Sequence, residues 1–170
     1  MNIEVKELPK IEVAYIRRTG SYFEHQDHWG ILIGWAINNG LFPPQQSFIG
    51  IPLDNPDLVE GRECRHDACV TIPEGFEKEK HPDMKFKTLD GGQFALYKFY
   101  DRAEKLNAAY QFFYKEWLPN SDYDADYSRN NLEFNMNNPA EDPEGKCKVD
   151  LYVPIKKYEV DFKHSRNFLQ

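Results

Sequence analysis

An α+β fold is predicted for this 170-residue chain: a tandem strand-helix-strand-strand repeat forming one antiparallel sheet with two helices on one face. Three observations predict it. An offset of 83 residues lays Asp54-Asn55-Pro56 on Asn137-Asn138-Pro139, Cys64 on Cys147 and Asp67 on Asp150; upstream the offset drifts to 81, where residues 13–17 meet residues 94–98. Each half also carries one apolar stripe at helical spacing. Finally, the strand pairs are joined by loops too short for parallel crossovers, which favours antiparallel pairing. Two related halves meeting about a pseudo-twofold axis leave a crevice between them, and pockets form at such junctions.

In chain order, residues 11–18 are β-branched and aromatic, and Gly20 closes them, so they read as a strand ending in a turn. Trp29, Leu32, Ile33, Ala36 and Ile37 recur as a helical stripe, with Gly40 placed to end the helix. Residues 48–53 and 68–72 read as short strands bounded by Pro, Asp and Gly. The second half opens at the Gly91-Gly92 turn with a strand over 94–100. A helix follows, carrying Leu106, Ala109, Tyr110, Phe113 and Trp117, and Pro119 stops it. Strands over 132–136 and 148–155 close the half. The polar stretch 119–131, with Asp122, Asp124 and Asp126, is expected to be a solvated connection and not a cation site, as is 141–145. Residues 1–157 are thus predicted to form a single domain with halves near 1–80 and 81–157. In the C-terminal extension, 158–170, the alternation of Tyr158, Val160 and Phe162 suits an extra strand or an edge cover.

The formal charge is -7, from 28 acidic and 21 basic residues, so no broad basic surface is available to neutralise phosphates. Direct nucleic-acid binding is not expected. An acidic field favours cationic ligands and also keeps a protein soluble. No apolar run approaches the roughly 18 residues of a membrane span, and no charged-then-apolar leader is present. A cytoplasmic protein with reduced thiols and no membrane partner is expected, which argues against a Cys64–Cys147 bond. His25 with His28, and Cys64 with His66 and Cys69, match no zinc spacing, and strand alternation sends His66 and Cys69 to opposite faces. No metal, other cofactor or phosphate-cradling loop is expected. Aromatic residues reach 15%, with 10 Tyr, 12 Phe and 3 Trp, more than a core of this size needs, which leaves some to line a pocket.

Five stretches, taken together and in order, carry a resemblance: Arg17-Arg18-Thr19-Gly20-Ser21-Tyr22, Glu116-Trp117-Leu118-Pro119, Leu132-Glu133-Phe134, Asn137-Asn138-Pro139 and Val149-Asp150-Leu151-Tyr152-Val153-Pro154-Ile155. Over about residues 3–157 the chain resembles the GyrI-like small-molecule-binding domain, also seen as the effector-binding domain of AraC-type and multidrug-responsive regulators. The resemblance implies the same tandem fold with a ligand groove between the two helices. It further implies a pocket for hydrophobic, often cationic, compounds in which a glutamate sits among aromatic rings. Glu133 matches that glutamate, while Asp150 and Tyr152 match acidic and aromatic positions of the last strand. Asn135 departs from the pattern by standing where an aromatic is frequent, and Asp101 stands where a glycine would repeat Gly20. The helix-turn-helix pair that such regulators carry upstream is not expected within this chain, because the domain pattern starts almost at Met1; the chain reads either as a stand-alone binding protein or as the effector part of a longer regulator. Operator binding is therefore expected to need a separate DNA-binding partner; another protein partner or a homodimer stays open.

The residues read by themselves point the same way. The 83-residue offset sets Glu133 against Gly50, a carboxylate against nothing. A carboxylate in an aromatic-lined cavity costs roughly several kcal/mol to desolvate, so it requires a donor or a cation. Aromatic faces add about 0.5–2 kcal/mol each of cation-π attraction. Glu133 shares a strand face with Asn135, as Asp150 does with Tyr152. Trp35 lies off the main helix stripe, with Ile31 and His28, and reads as a groove wall. Tyr22 after the Gly20 turn, Tyr110 on the second helix and Phe48 at the base of its strand complete the expected ligand-binding set.

The expected function is non-enzymatic binding of hydrophobic, cationic small molecules, as a sensor or sequestering protein with a place in transcription regulation. Two alternatives stand beside it. One is hydrolysis of reactive electrophiles of the cyclopropanoid kind, which some members of the family open, with Glu133 activating water. The other is inhibition of a gyrase-type protein through a surface outside the groove. No catalytic residue is assigned.

Overall fold

Alternation along β2 (Ile11–Thr19) sends Ala14 and Ile16 to one face of a sheet and Val13 and Tyr15 to the other, and the later strands repeat this division. The computed structural model describes residues 2–158. β1 (Ile3–Leu8) and β2 are followed by α1 (Asp27–Asn38), β3 (Phe48–Pro52), β4 (Arg65–Thr71), β5 (Lys85–Leu89) and β6 (Gly92–Asp101). Then come α2 (Leu106–Phe112), β7 (Tyr123–Ala125), β8 (Leu132–Asn135) and β9 (Cys147–Lys157). Every strand pairing is antiparallel; the order is β1-β6-β9-β8-β3-β4-β2-β5, with β7 added on β9. The fold is α+β, as predicted.

Both helices cover the same face. Gly50 of β3 lies opposite Ala68 of β4, whose cluster includes Leu32 and Ala36 of α1. On its other side Gly50 lies opposite Glu133 of β8, itself opposite Leu151 of β9, which packs with Ala109 of α2. Directly opposed residues of antiparallel strands share a face. The main contacts of α1 are with β2 and β4 and those of α2 with β6, so the central pair, β3 and β8, forms the floor between the helices.

The other face closes on itself. Pro9-Lys10 alone joins β1, at one end of the strand order, to β2, next to the other end; Asp90-Gly91 makes the matching link from β5 to β6. Links this short pull the two ends of the sheet together. A Cβ on Gly91 would meet Leu8 O at 2.4 Å and Pro9 C at 2.6 Å, so only glycine lets the two links pass. Inside the curl Val13, Ile49, Ile51, Cys69, Leu89, Phe94 and Leu132 are buried together. Burial of this apolar set, at about 25 cal/mol per Å², needs no helix over it.

Several expectations are corrected. β1, β5 and β7 were not anticipated from the pattern: Glu4, Lys6, Lys85 and Lys87 mask the first two, and such charges suit strands at a sheet edge. β7 lies within the stretch expected to be a solvated connection; Tyr123 stacks on Trp117 at 6.3 Å and its strand pairs with β9. The buried side of α1 is His28, Leu32 and Ala36, with Ile37 turned outward at 55% exposed. After Phe112 the second helix widens into a π turn, Phe113–Trp117, and ends in the Leu118–Asn120 3-10 turn. All three cysteines are free. Tyr158 donates its amide to Asp122 O (2.9 Å); the rest of the expected C-terminal extension, including Val160 and Phe162, lies outside the described residues.

Candidate functional site

The strip of β3 and β8 left between the helices presents Phe48, Gly50 and Pro52 from one strand and Glu133 and Asn135 from the other. Glu133 stands at the middle of this floor. Tyr110, on α2, donates its hydroxyl to Glu133 Oε2 at 2.7 Å. Among the described residues no Lys, Arg or His pairs with Glu133. Glu133 is partly exposed as a residue, while its carboxyl is crowded by protein atoms. Burial therefore pushes its pKa up to about 7, and the Tyr110 hydrogen bond offsets only part of that. Burial and the nearby Glu133 charge likewise drive the Tyr110 phenol well above its ordinary range, so it stays a donor. One turn farther on, in the π turn after α2, the Tyr114 hydroxyl accepts from Asn131 Nδ2 at 3.4 Å.

Across the floor the wall is aromatic and imidazole. A Cβ on Gly50 would stand 3.4 Å from Trp29 Cζ2 and 3.1 Å from His66 Nε2, so the missing side chain lets Trp29 and His66 pack close over the floor. His66 comes from the helix-facing side of β4, in register with Pro52 and Arg18. Its Nδ1 lies 2.8 Å from Nε2 of His28, which is buried under the first turn of α1. Burial, reinforced by the neighbouring His28, lowers the His66 pKa to about 4; burial and then the Arg18 charge lower that of His28. Both rings are neutral at pH 7.

The expected ligand-binding residues divide into two groups. Glu133, Tyr110 and Phe48 come together on the cleft side, Phe48 opposite Asn135 and packed partly under α1. Tyr22 reaches the edge of the cleft by setting its ring edge-on to His66 at 6.1 Å. Its hydroxyl donates to Arg65 O (2.6 Å) and accepts from the Asp54 amide (3.1 Å), which ties the loop before β4 to the turn before α1. Trp35, Asp150 and Tyr152 are not brought to the cleft. Trp35 turns to the outer side of α1, against Phe76, His81 and Phe86. Asp150 and Tyr152 occupy the alternate positions of β9, inside the curl: Tyr152 packs on Phe94 and Phe134, and Asp150 lies opposite Lys98. The period of two that places Leu151 opposite Glu133 sends its neighbours to the other face.

Sequence pattern does not single out Trp29, His66 and His28, which border this floor: the stripe of α1 reads Trp29 as core, and the His66 spacing bears only on metal ligation. The usable signal was Gly50 itself, since a glycine opposite Glu133 makes room for whatever flanks it. Among the described residues no group of three or more His, Cys, Asp or Glu could hold a metal, and no helix is long and apolar enough to cross a membrane.

Residues 1–156 match a family model described as a GyrI-like small molecule binding domain. Over 99 residues, 57% of the chain, it is 31% identical to the "SPbeta prophage-derived putative transcriptional regulator YosT" of Bacillus subtilis (strain 168), and the alignment spans 64% of that relative, just under two thirds. It is 24% identical over 160 residues, 92% of the chain and 99% of the relative, to a Salmonella typhimurium protein named DNA gyrase inhibitor. Among solved structures, EcmrR in a complex with DNA gives a TM-score of 0.70 at 14% identity, covering 92% of this chain and 58% of that longer one. The EcmrR C-terminal domain alone gives the same TM-score with 98% of it covered. SAV2435 bound to tetraphenylphosphonium gives 0.59 at 12% identity, covering 96% of this chain and 99% of that one. At these identities the structural likeness establishes the fold.

Proposed function

This chain belongs to the GyrI-like small molecule binding domain family, and from that premise we propose that it holds hydrophobic cations in the cleft between α1 and α2, with Glu133 as their counter-ion. Glu133 carries this reading: it is a crowded carboxyl whose one described partner is the Tyr110 hydroxyl. A monovalent cation entering the cleft supplies the missing charge, and the rings of Trp29, Tyr110 and Phe48 supply apolar and cation-π surface. SAV2435, whose structure holds tetraphenylphosphonium, is a precedent for a hydrophobic cation on this fold. A cytoplasmic sensor or sequestering role in transcription regulation fits a relative named as a transcriptional regulator and fits EcmrR, a longer chain solved with DNA.

The test is tryptophan fluorescence titration with hydrophobic cations and their neutral isosteres, on wild type and Glu133→Gln. Saturable quenching by the cations, weakened in a folded Glu133→Gln protein, is the expected result. Equal binding of cation and isostere would remove Glu133 from the role. A second reading, hydrolysis of a strained electrophile, draws on the same pKa of about 7, which leaves Glu133 able to take a proton from water near neutrality. Product formation from a cyclopropane-bearing electrophile, lost in Glu133→Gln, would favour it.

A further inference from the structure

The cleft floor holds a second polar group, whose open atom the counter-ion role leaves unused. One proton lies between His28 Nε2 and His66 Nδ1, 2.8 Å apart, and His28 is only 4% exposed. That contact fixes the His66 ring, which stands perpendicular to His28 (5.0 Å, 88°) and edge-on to Tyr22. The remaining nitrogen, Nε2, is the atom nearest to where a side chain on residue 50 would begin, 3.1 Å away. It has no hydrogen-bond partner among the described residues. Because residue 50 is glycine, the His66 ring can approach the strand this closely, and because Gly50 lies directly opposite Glu133, the imidazole and the carboxyl stand on either side of one bare backbone position. Two strand spacings separate β4 from β8, about 10 Å from backbone to backbone. A ligand of ring-system size spans that distance.

We propose that His66, oriented by His28, is a second recognition point of the cleft, and that its ligands are hydrophobic cations bearing a hydroxyl, or an equivalent hydrogen-bonding group, away from the charge. This rests on the counter-ion reading above and adds a specificity to it. A neutral imidazole shows either a donor or an acceptor at Nε2, according to where the shared proton sits. A hydroxyl answers both, since it gives one hydrogen bond and accepts others. With its pKa lowered to about 4, His66 stays uncharged at pH 7 and does not repel a cation held at Glu133. His28, only 4% exposed and so with little surface to offer a ligand, acts as a positioning residue.

The experiment uses aromatic quaternary ammonium ions in matched pairs, identical but for one hydroxyl moved stepwise along the ring system, titrated onto the full chain. Wild type is expected to prefer one hydroxylated isomer over its deoxy partner by about 3-fold to 10-fold, the worth of one hydrogen bond. His66→Asn keeps an amide near the Nδ1 position, facing His28, but is too short to reach the cleft; its preference should fall to about one. His66→Gln places an amide near the Nε2 position and should retain a preference. Glu133→Gln should weaken both members of the pair and leave their ratio in place. A preference that survives in His66→Asn, or no preference at any hydroxyl position in wild type, overturns the inference while leaving the counter-ion reading intact. Failure of wild type to bind any of the cations overturns both.

Discussion

Asp67 and Glu133 are two carboxyl groups on opposite faces of one sheet, and the difference that matters most is in their partners. Asp67, inside the curl, is 0% exposed and accepts from Arg17 Nε at 2.8 Å, from Arg17 Nη2 at 3.0 Å and from Lys87 Nζ. Burial alone would raise its pKa, but the hydrogen bonds from Arg17 and Lys87 outweigh burial and hold it below the ordinary value. Lys87 and Arg17 in turn lie over the Tyr15 ring, at 4.4 and 5.8 Å. Glu133 has a tyrosine hydroxyl in place of two cations, and its pKa rises to about 7. A carboxylate supplied with its own cations is a structural element. One left without them is poised for a cation from outside.

The largest expected effect breaks the first site. Asp67→Asn strands two cations against a buried amide and should cost about 3–5 kcal/mol, in the range seen when one member of a buried pair is removed. Urea unfolding at pH 7 measures it, and a loss below about 1 kcal/mol would mean that Arg17 and Lys87 reach water easily without Asp67. Glu133→Gln should act with the opposite sign on stability. A carboxyl whose folded pKa is raised from 4.5 to about 7 destabilises the folded state once ionised, by about 3 kcal/mol at most. Below pH 4.5 the group is protonated in both states and contributes nothing. The penalty develops between pH 4.5 and 7 and is full above that window. The difference in unfolding free energy, Glu133→Gln minus wild type, should therefore be near zero at pH 4 and reach its plateau by pH 8.

Ligand binding sharpens the comparison from the other side. Since the cation needs the ionised carboxylate, affinity for a permanent cation should rise with pH up to about 7 and flatten above it, by roughly 10-fold per pH unit on the steep limb. A neutral isostere should show no such limb. At pH 8 the Glu133→Gln substitution is expected to weaken the permanent cation by about 10-fold to 100-fold, as loss of one close charge pair does. Parallel pH profiles for cation and isostere would show that Glu133 is not what the charge meets.

Much of this arrangement was legible in the sequence, and the parts that were not share a cause. The stripes of α1 and α2, the β-branched runs and the glycine turns located the main elements to within a few residues, because burial on one face imposes period. β1 and β5 escaped notice because their outward residues are charged and little pattern survives at an edge. The offset that set Gly50 against Glu133 picked out two positions that do face each other across β3 and β8. Parity along β9 says that Asp150 and Tyr152 share a face, as they do, but it does not say which face that is. That is decided by register with β8, which aligns Leu151 with Glu133, and register is a tertiary fact. Trp35 failed for a related reason: being off the main stripe of α1 leaves two flanks, and this side chain takes the one against Phe76 and Phe86.

The smallest effect tests the floor between the two walls. Gly50→Ala adds one methyl group 3.1 Å from His66 Nε2 and 3.4 Å from Trp29 Cζ2, tight enough that the His66 ring must give by a few tenths of an ångström. The backbone itself tolerates alanine, since Gly50 is not among the glycines of positive φ. Replacing a strand glycine lowers the entropy of the unfolded chain by the equivalent of about 0.4–1 kcal/mol, and overpacking of 1–3 kcal/mol opposes it. Net stability should thus fall by no more than about 2.6 kcal/mol. Binding should respond more selectively: the methyl group occupies the gap that separates the imidazole from the carboxyl, so cation affinity should drop about threefold, roughly 0.7 kcal/mol, while the Glu133 pH limb stays where it is. Should affinity remain unchanged while a larger residue at position 50 also leaves it intact, ligand does not cross the floor at Gly50, and the Glu133 side of the cleft works without the His66 side.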